Sequence, residues 1–464
     1  MALPEAYARS HRRIVPALTS NQDTNPGPYN GAPSAARAHK TTAMSQALPM
    51  RSPSQSVYSP EFVLLACIAF ALPMFEGAKN ILWGLYALAW YVNRLRYGWS
   101  WEMLGGRWDR WDTVLTIWLA SAVVGAALAG MHHDEWRAFR DTLRMTSILW
   151  FLKRSGYGDA QWLRLHVTLQ AAVTIATIWA LAALAWPHRY EGIQLNSVGH
   201  VNQSVIYIVI CFGTLLGGVS AYWRRMRPWL RAVAIAEFAI LLVALFAAGS
   251  RSAAVTAMLG ALAFGLLWLK RSARPIIWIL IAIGAFGAVV AGFDTDMRRK
   301  QEFAKESAYA LLNERHPIWQ QALAGWRTYP AFGVGADNFR QISVGEVRAW
   351  QEARGERYDP TQFVATSHAH SLYLNTLAER GLLGIAVLAL LLGAWAWSVF
   401  GDVPRGSDPP LYWLNWTGAA SALVATACIG VFNTTLHDEH GLLATMLLGV
   451  WLGHKRSRAA LLTT

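Results

Sequence analysis

Charge is scarce in this chain. Of its 464 residues only 15% are Asp, Glu, Lys or Arg, where a soluble domain carries about a quarter. That scarcity argues against a soluble globular protein, and a 54% hydrophobic content points the same way. Cysteine is scarcer still. Cys67, Cys211 and Cys428 all fall inside apolar stretches, so they read as small core residues, and neither a disulfide framework nor a CxxC metal site is available. Nucleic-acid binding has no footing either. The net charge is +13, but the basic residues form no single patch. They sit in short clusters between apolar stretches, which is how a membrane protein fixes its orientation. Residues 1–58 lack a long apolar run and are rich in Pro, Ser, Ala, Asn and Gln. Arg9, Arg12 and Arg13 resemble the basic start of a signal peptide, but no apolar region follows them. This segment is expected to be an uncleaved, disordered cytoplasmic tail.

What the sequence does have is apolar runs. A membrane span needs roughly 20 apolar residues, fewer where a segment is tucked against neighbours. Spans are expected near 60–75, 78–93, 112–131, 134–152, 163–186, 201–223, 231–248, 253–269, 274–292, 380–400, 411–432 and 440–454. The 24 tryptophans suit this picture, because Trp concentrates where lipid meets water. With a cytoplasmic amino terminus, the inner loops hold Arg94 and Arg96 with Arg107 and Arg110, then Lys153-Arg154, Arg224-Arg225-Met-Arg227, and Lys270-Arg271 with Arg274. Arg405 and the tail Lys455-Arg456-Ser-Arg458 complete the set. All fall on one side, which predicts an even number of spans with both termini inside. No internal repeat is evident.

The expected fold class is therefore an all-α polytopic membrane protein of about 12 transmembrane helices. Its predicted organisation is a cytoplasmic segment 1–58, spans one to nine over 59–292, an outer loop domain over 293–368, spans ten to twelve over 369–454, and a cytoplasmic tail 455–464. The outer loop mixes ten Lys/Arg with ten Asp/Glu between Phe293 and Ser367. A loop of that length is usually functional, and a small, mostly helical cap is expected.

Basic residues at the outer boundary break the orientation rule. Arg137, Arg140 and Arg144 share one face at the start of the fourth span, Arg189 follows the fifth, and Arg251 lies between the seventh and eighth in Gly249-Ser250-Arg251-Ser252. A guanidinium near hydrocarbon costs several kcal/mol unless a cavity or partner receives it, which favours a functional reading. For the fourth-span group, snorkelling to headgroups or pairing with Asp134, Glu135 or Asp141 stands beside that reading. For Arg251 the short loop offers no acid. Convergent guanidiniums suit a pyrophosphate, which arginine clamps bidentately.

Histidines come next. His368 and His370 lie where the outer loop re-enters the membrane, and His437-Asp-Glu-His440 occupies the last outer turn. Zinc would use such ligands, but histidines two apart do not share a helix face and no third ligand stands at a zinc spacing, so no metal is expected. A general base fits better, because histidine titrates near neutrality; an ordinary interfacial histidine fits the position as well. Asp294-Thr295-Asp296 is a DxD of the kind some metal-dependent glycosyltransferases use, and it reads equally as a solvated helix end.

These residues also resemble a known family. His370-Ser371, nine residues, then Gly381-Leu-Leu-Gly384 is similar to the signature of the O-antigen ligase superfamily. That superfamily also holds O-antigen polymerases and protein O-oligosaccharyltransferases. Arg315-His-Pro-Ile-Trp319, leading into Tyr329-Pro-Ala-Phe-Gly-Val-Gly-Ala-Asp-Asn-Phe339, looks like that family's loop before the histidine, and Gly249-Ser250-Arg251 resembles its arginine-bearing turn. The resemblance covers about residues 60–454. It implies a GT-C-like, cofactor-free, metal-independent inverting transferase of the inner membrane. Such an enzyme moves polysaccharide from undecaprenyl pyrophosphate onto a lipid A-core hydroxyl at the periplasmic face. His370 matches the family's essential histidine, and Arg251 and Arg315 its two functional arginines. Arg189, Arg140, Arg144 and His368 are added here as pyrophosphate or glycan contacts from position and charge.

Within the superfamily the compact loop favours a ligase over a polymerase, and the short tail argues against the enlarged protein-modifying enzymes. A transporter of anionic glycolipids is the reading from a different class. Transporters place their charged site near the midplane on broken helices, whereas these candidates gather at one face beneath a large loop.

Overall fold

Several helices start where the sequence supplies a cap. In the computed structural model, which describes residues 59–96, 100–184, 192–248, 250, 256–257, 260–261 and 315–463, all regular elements among those residues are helical. The first seven are α1 (Pro60–Ala71), α2 (Glu76–Leu95), α3 (Arg110–Ala127), α4 (Glu135–Arg154), α5 (Asp159–Leu184), α6 (Val201–Tyr222) and α7 (Pro228–Ala247). They are followed by α8 (Arg315–Thr328), α9 (Val344–Ala353), α10 (Leu372–Phe400), α11 (Pro410–Val424) and α12 (Asp438–Thr463). Ser59 caps α1 ahead of Pro60, and Asp109 with Asp112 forms a capping box at α3. Ser343 with Glu346 does the same at α9. Each cap satisfies amide hydrogens that a first turn leaves unpaired.

Among the described residues four stretches are long and apolar enough to cross a membrane: Asp159–Leu184, Val201–Arg225, Pro228–Ala247 and Leu372–Phe400. They coincide with the expected fifth, sixth, seventh and tenth spans. The other expected spans among the described residues are helical but shorter or more polar. α1 has only 12 residues, α4 buries Glu135, Lys153 and Arg154, and α11 has 15 residues before a π-helical turn at Ala425–Ile429. The expected spans at 253–269 and 274–292 lie largely outside the described residues, as do residues 1–58.

Among the described residues, Arg94, Lys153-Arg154 and the 455–458 tail, which the sequence assigns to one side, lie together at one end of the bundle. Arg94 donates to Glu61 (3.2 Å) and to the Ser155 carbonyl (2.9 Å). Lys153 and Arg154 both reach Asp112, at 2.8 and 2.6 Å, and Arg154 also holds the carbonyls of Leu104 and Gly106. Arg458 bonds Asp408 at 2.9 Å, and Lys455 pairs with Asp402. At the opposite end Lys79 pairs with Glu439, and Asn196 donates to the Met74 carbonyl (2.8 Å). The core between is unusually rich in tryptophan. Trp90, Trp162, Trp395 and Trp451 are fully buried, so these four are packing residues and not part of an interfacial belt. Trp395 and Trp451 still find carbonyl partners, Ala419 and Ser398, each at 3.1 Å.

α10 begins eight residues before the expected start of the tenth span. Ser371 caps it by accepting from the Leu374 amide (3.4 Å). The helix is then interrupted at Gly381, whose φ of 59° and ψ of −157° are far from helical. That break positions the site.

Candidate active site

A broken helix exposes carbonyl and amide groups that must find partners elsewhere. Here the partners come from the turn after α8. The Val334 and Gly335 amides donate to the Ala378 and Glu379 carbonyls, both at 2.9 Å. Beyond the break, the Leu382 and Leu383 amides donate to the Pro330 and Ala331 carbonyls, at 2.9 and 3.2 Å. Backbone this close leaves no room for side chains. A Cβ on Gly381 would lie 2.5 Å from the Ala331 carbonyl, and one on Gly333 would lie 2.3 Å from the Glu379 backbone. The same turn reaches the α3–α4 connection, where Gly130 and Met131 amides donate to Gly333 and Val334 carbonyls (2.9 and 3.0 Å). Asn338, fully buried, ties the joint together. Its Nδ2 donates to the Met131 carbonyl (2.9 Å) and to Glu135 (3.2 Å), and its Oδ1 accepts from the Asp134 amide (2.9 Å).

His370 sits just before this helix with φ of 48°, a left-handed conformation uncommon for a residue with a side chain. Its neighbours hold it there: the Ala369 amide donates to Asn375 Oδ1 (3.0 Å), and Ser371 is the cap. Non-glycine residues held in sparsely populated backbone regions cluster at functional sites. Leu436 and Asp438, which flank His437, and Asp337 share this geometry at the same end of the bundle.

Arg315 opens α8, and its guanidinium lies 5.7 Å from the ring centre of Phe432. Phe432 belongs to the turn that clasps the start of α10, where the Leu372 amide donates to the Gly430 carbonyl (2.7 Å) and the Asn433 carbonyl (3.1 Å). One turn thus serves both His370 and Arg315. Burial, then the nearby Arg315 charge, then His200, pushes His370 down to about 4. The imidazole is therefore neutral at pH 7, with a lone pair free to take a proton. His368 packs against it with ring centres 4.2 Å apart and the rings tilted by 49°, and burial followed by the neighbouring His370, His437 and His200 lowers it to about 4 as well.

The fold brings together His370, His368 and Arg315. Arg140 lies exposed on α4. Arg144 is occupied, donating to Asp141 at 2.8 Å and to Asn80, with Lys79 nearby. Its pairing with Asp141 is the structural alternative raised from the sequence. Arg189, Arg251, Asp294 and Asp296 lie outside the described residues. The HDEH turn is divided among different tasks: His437 bonds Asp438 (2.6 Å), Glu439 pairs with Lys79, and His440 is buried in α12. Among the described residues no group of three His, Cys, Asp or Glu side chains could hold a metal ion. Sequence reasoning missed His200. It caps α6, accepting from the Asn202 amide (3.2 Å), and lies close enough to both site histidines to depress them. Its place at the outer start of an expected span was the available signal.

Among the described residues, the all-helical elements, the four membrane-length helices and the histidine–arginine site beside a broken helix fit a multi-pass membrane protein with a polar site at one end. Residues 236–389 match the family model described as O-antigen ligase. The matched stretch contains Arg251, Arg315, His370 and the Gly381 break. No curated protein matches the chain.

Proposed function

We propose that this protein is an O-antigen ligase, transferring polysaccharide from undecaprenyl pyrophosphate to a sugar hydroxyl of lipid A-core at the periplasmic face of the inner membrane. The observation that carries the reading is the meeting of His370 with Arg315 inside the matched family stretch. In the proposed twelve-span topology both termini are cytoplasmic, and the loop over 293–368 covers the site.

The acceptor oxygen forms a bond to the anomeric carbon as the carbon–oxygen bond to pyrophosphate breaks. One displacement inverts the configuration, the electron pair leaves with undecaprenyl pyrophosphate, and the acceptor proton passes to His370. A positioned base of this kind contributes about 10²–10⁴-fold. Arg251 and Arg315 offset the charge growing on the leaving group, and fixed guanidiniums do so without reorganising. Donor binding also tunes the base. The pyrophosphate charge opposes the Arg315 effect on His370, so the imidazole becomes more basic once the donor is bound. His368 packs the base in place, and Arg189, Arg140 and Arg144 are assigned to the donor or its glycan around the rim.

The test is transfer by purified protein supplied with one lipid-linked donor and three acceptors: lipid A-core, a second lipid-linked glycan, and protein. Product on lipid A-core supports the ligase. Product only on the lipid-linked glycan makes the protein a polymerase, and product only on protein makes it an oligosaccharyltransferase. Absence of any transfer removes the assignment.

A further inference from the structure

Arg380 is a cation inside a span, and the mechanism above does not use it. It follows the capped start of α10 by two helical turns and immediately precedes the Gly381 break. Its Nη2 donates to Ser121 Oγ on α3 (3.1 Å), and its guanidinium lies 4.8 Å from the ring centre of Trp118. Both partners are neutral. The adjoining Glu379 acts on it through space but makes no ion pair with it, its Oε1 instead accepting from the Phe339 amide (3.4 Å). No ion pair joins Arg380 to an acid among the described residues. A guanidinium carries five donors, and one hydrogen bond with one aromatic face leaves most of them uncommitted.

The surroundings say what could use them. Leu382, the second residue after Arg380, is exposed, as are Val123 and Val124 beside Ser121. Exposed apolar residues on α3 and on the membrane-length α10 give the edge of this seam a surface suited to lipid acyl chains. A cation held at such a seam is expensive unless an anion or water receives it. The anion available there is a lipid phosphate, and arginine's planar fork suits phosphate oxygens.

We propose that Arg380, steadied by Ser121 and Trp118, binds the phosphate group of a membrane lipid at the α3–α10 seam, in the half of the bundle that carries His370. The site is separate from the pyrophosphate clamp: Arg380 turns toward α3, whereas His370 and Arg315 meet beside the turn at 430–437.

The experiment is native mass spectrometry of the delipidated full chain in detergent, counting bound lipids. Phosphatidylglycerol is compared with diacylglycerol of the same chains, and undecaprenyl pyrophosphate with undecaprenol. Wild type is expected to prefer at least one phosphate lipid over its neutral counterpart. Arg380→Gln is expected to lose one bound lipid, with an affinity loss of roughly ten-fold or more, while Arg380→Lys keeps part of the preference. Ser121→Ala gives a milder loss and serves if Arg380→Gln does not fold. A preference confined to undecaprenyl pyrophosphate identifies the site as a donor entry point. A preference for phosphatidylglycerol identifies a structural lipid. Equal binding of phosphate and neutral lipids by wild type, or unchanged counts in Arg380→Gln and Ser121→Ala, overturns the proposal. The readout is binding, so it stands or falls independently of transferase activity.

Discussion

Alanine at Gly381 would add one carbon atom to a joint that has no space for it. The Cβ would lie 2.5 Å from the Ala331 carbonyl carbon and oxygen and 2.6 Å from the Phe332 nitrogen, all backbone atoms that cannot rotate away. The backbone conformation adds a second penalty, since this φ and ψ combination suits glycine and costs of order 1–3 kcal/mol for other residues. Overpacking costs about 1–3 kcal/mol more. Opposing this are the four backbone hydrogen bonds between the 330–335 turn and α10, worth about 0.5–1.5 kcal/mol each. Strain and restraint are of similar size, so the cheapest relief is to undock the turn while the bundle stays folded. Gly393, in the same helix, has nothing within 4 Å of its Cβ position, and alanine there should stabilise the helix by up to about 1 kcal/mol. Hydrogen–deuterium exchange of the two purified variants makes the comparison. Gly381→Ala should lose protection at the amides of Val334, Gly335, Leu382 and Leu383 and lose at least roughly ten-fold in transfer, the equivalent of about 1.4 kcal/mol. Gly393→Ala should match wild type. Equal protection of those four amides in both variants would refute the docking argument.

Three further outcomes are expected. Asn338→Ala removes the donor to Met131 and Glu135 and the acceptor for Asp134; at about 1–3 kcal/mol per orphaned buried group, its thermal midpoint should drop well below that of the exposed control Arg348→Ala. In the pH profile of kcat/KM, the base is lost only as pH falls through the His370 value of about 4, so the acid limb should lie well below the ordinary 6.5, and the limb in kcat should lie higher because bound pyrophosphate favours the imidazolium; a kcat/KM limb at 6.5 that disappears in His370→Gln would contradict this. Asp112→Ala leaves Lys153 and Arg154 buried without their shared carboxylate, costing about 3–5 kcal/mol of stability with donor affinity unchanged, because this network lies at the end away from His370; altered donor affinity in a fully stable variant would show otherwise.

Much of this was legible in the residues themselves. Apolar runs give the four membrane-length helices, because the length of an apolar run is a local property of the sequence. The pairing of His370 with Arg315 was legible only through a family resemblance, since 55 residues separate them in sequence and the Phe432 turn that joins them lies farther on still. The purpose of Gly333 and Gly381 was not legible. A glycine announces backbone freedom but does not name the strand of chain that will press against it. Arg144 illustrates the limit for charges: its pairing with Asp141 on the same helix could be raised from the sequence, while its contact with Asn80 depends on how α2 packs against α4. Trp90 and Trp162 show the same limit for aromatics, which composition places at an interface and packing places in the core.

The most direct measurement is donor-lipid affinity beside the single-turnover transfer rate for purified wild type, His370→Ala, Arg315→Ala and Arg251→Ala. The account expects His370→Ala to lose nearly all turnover, about 10²–10⁴-fold, with donor affinity almost intact, because the base acts on the acceptor proton. Arg251→Ala should weaken both quantities, and Arg315→Ala should reduce turnover more than binding. If His370→Ala loses donor affinity as severely as Arg251→Ala, the histidine is a pyrophosphate ligand and its assignment as the base is wrong.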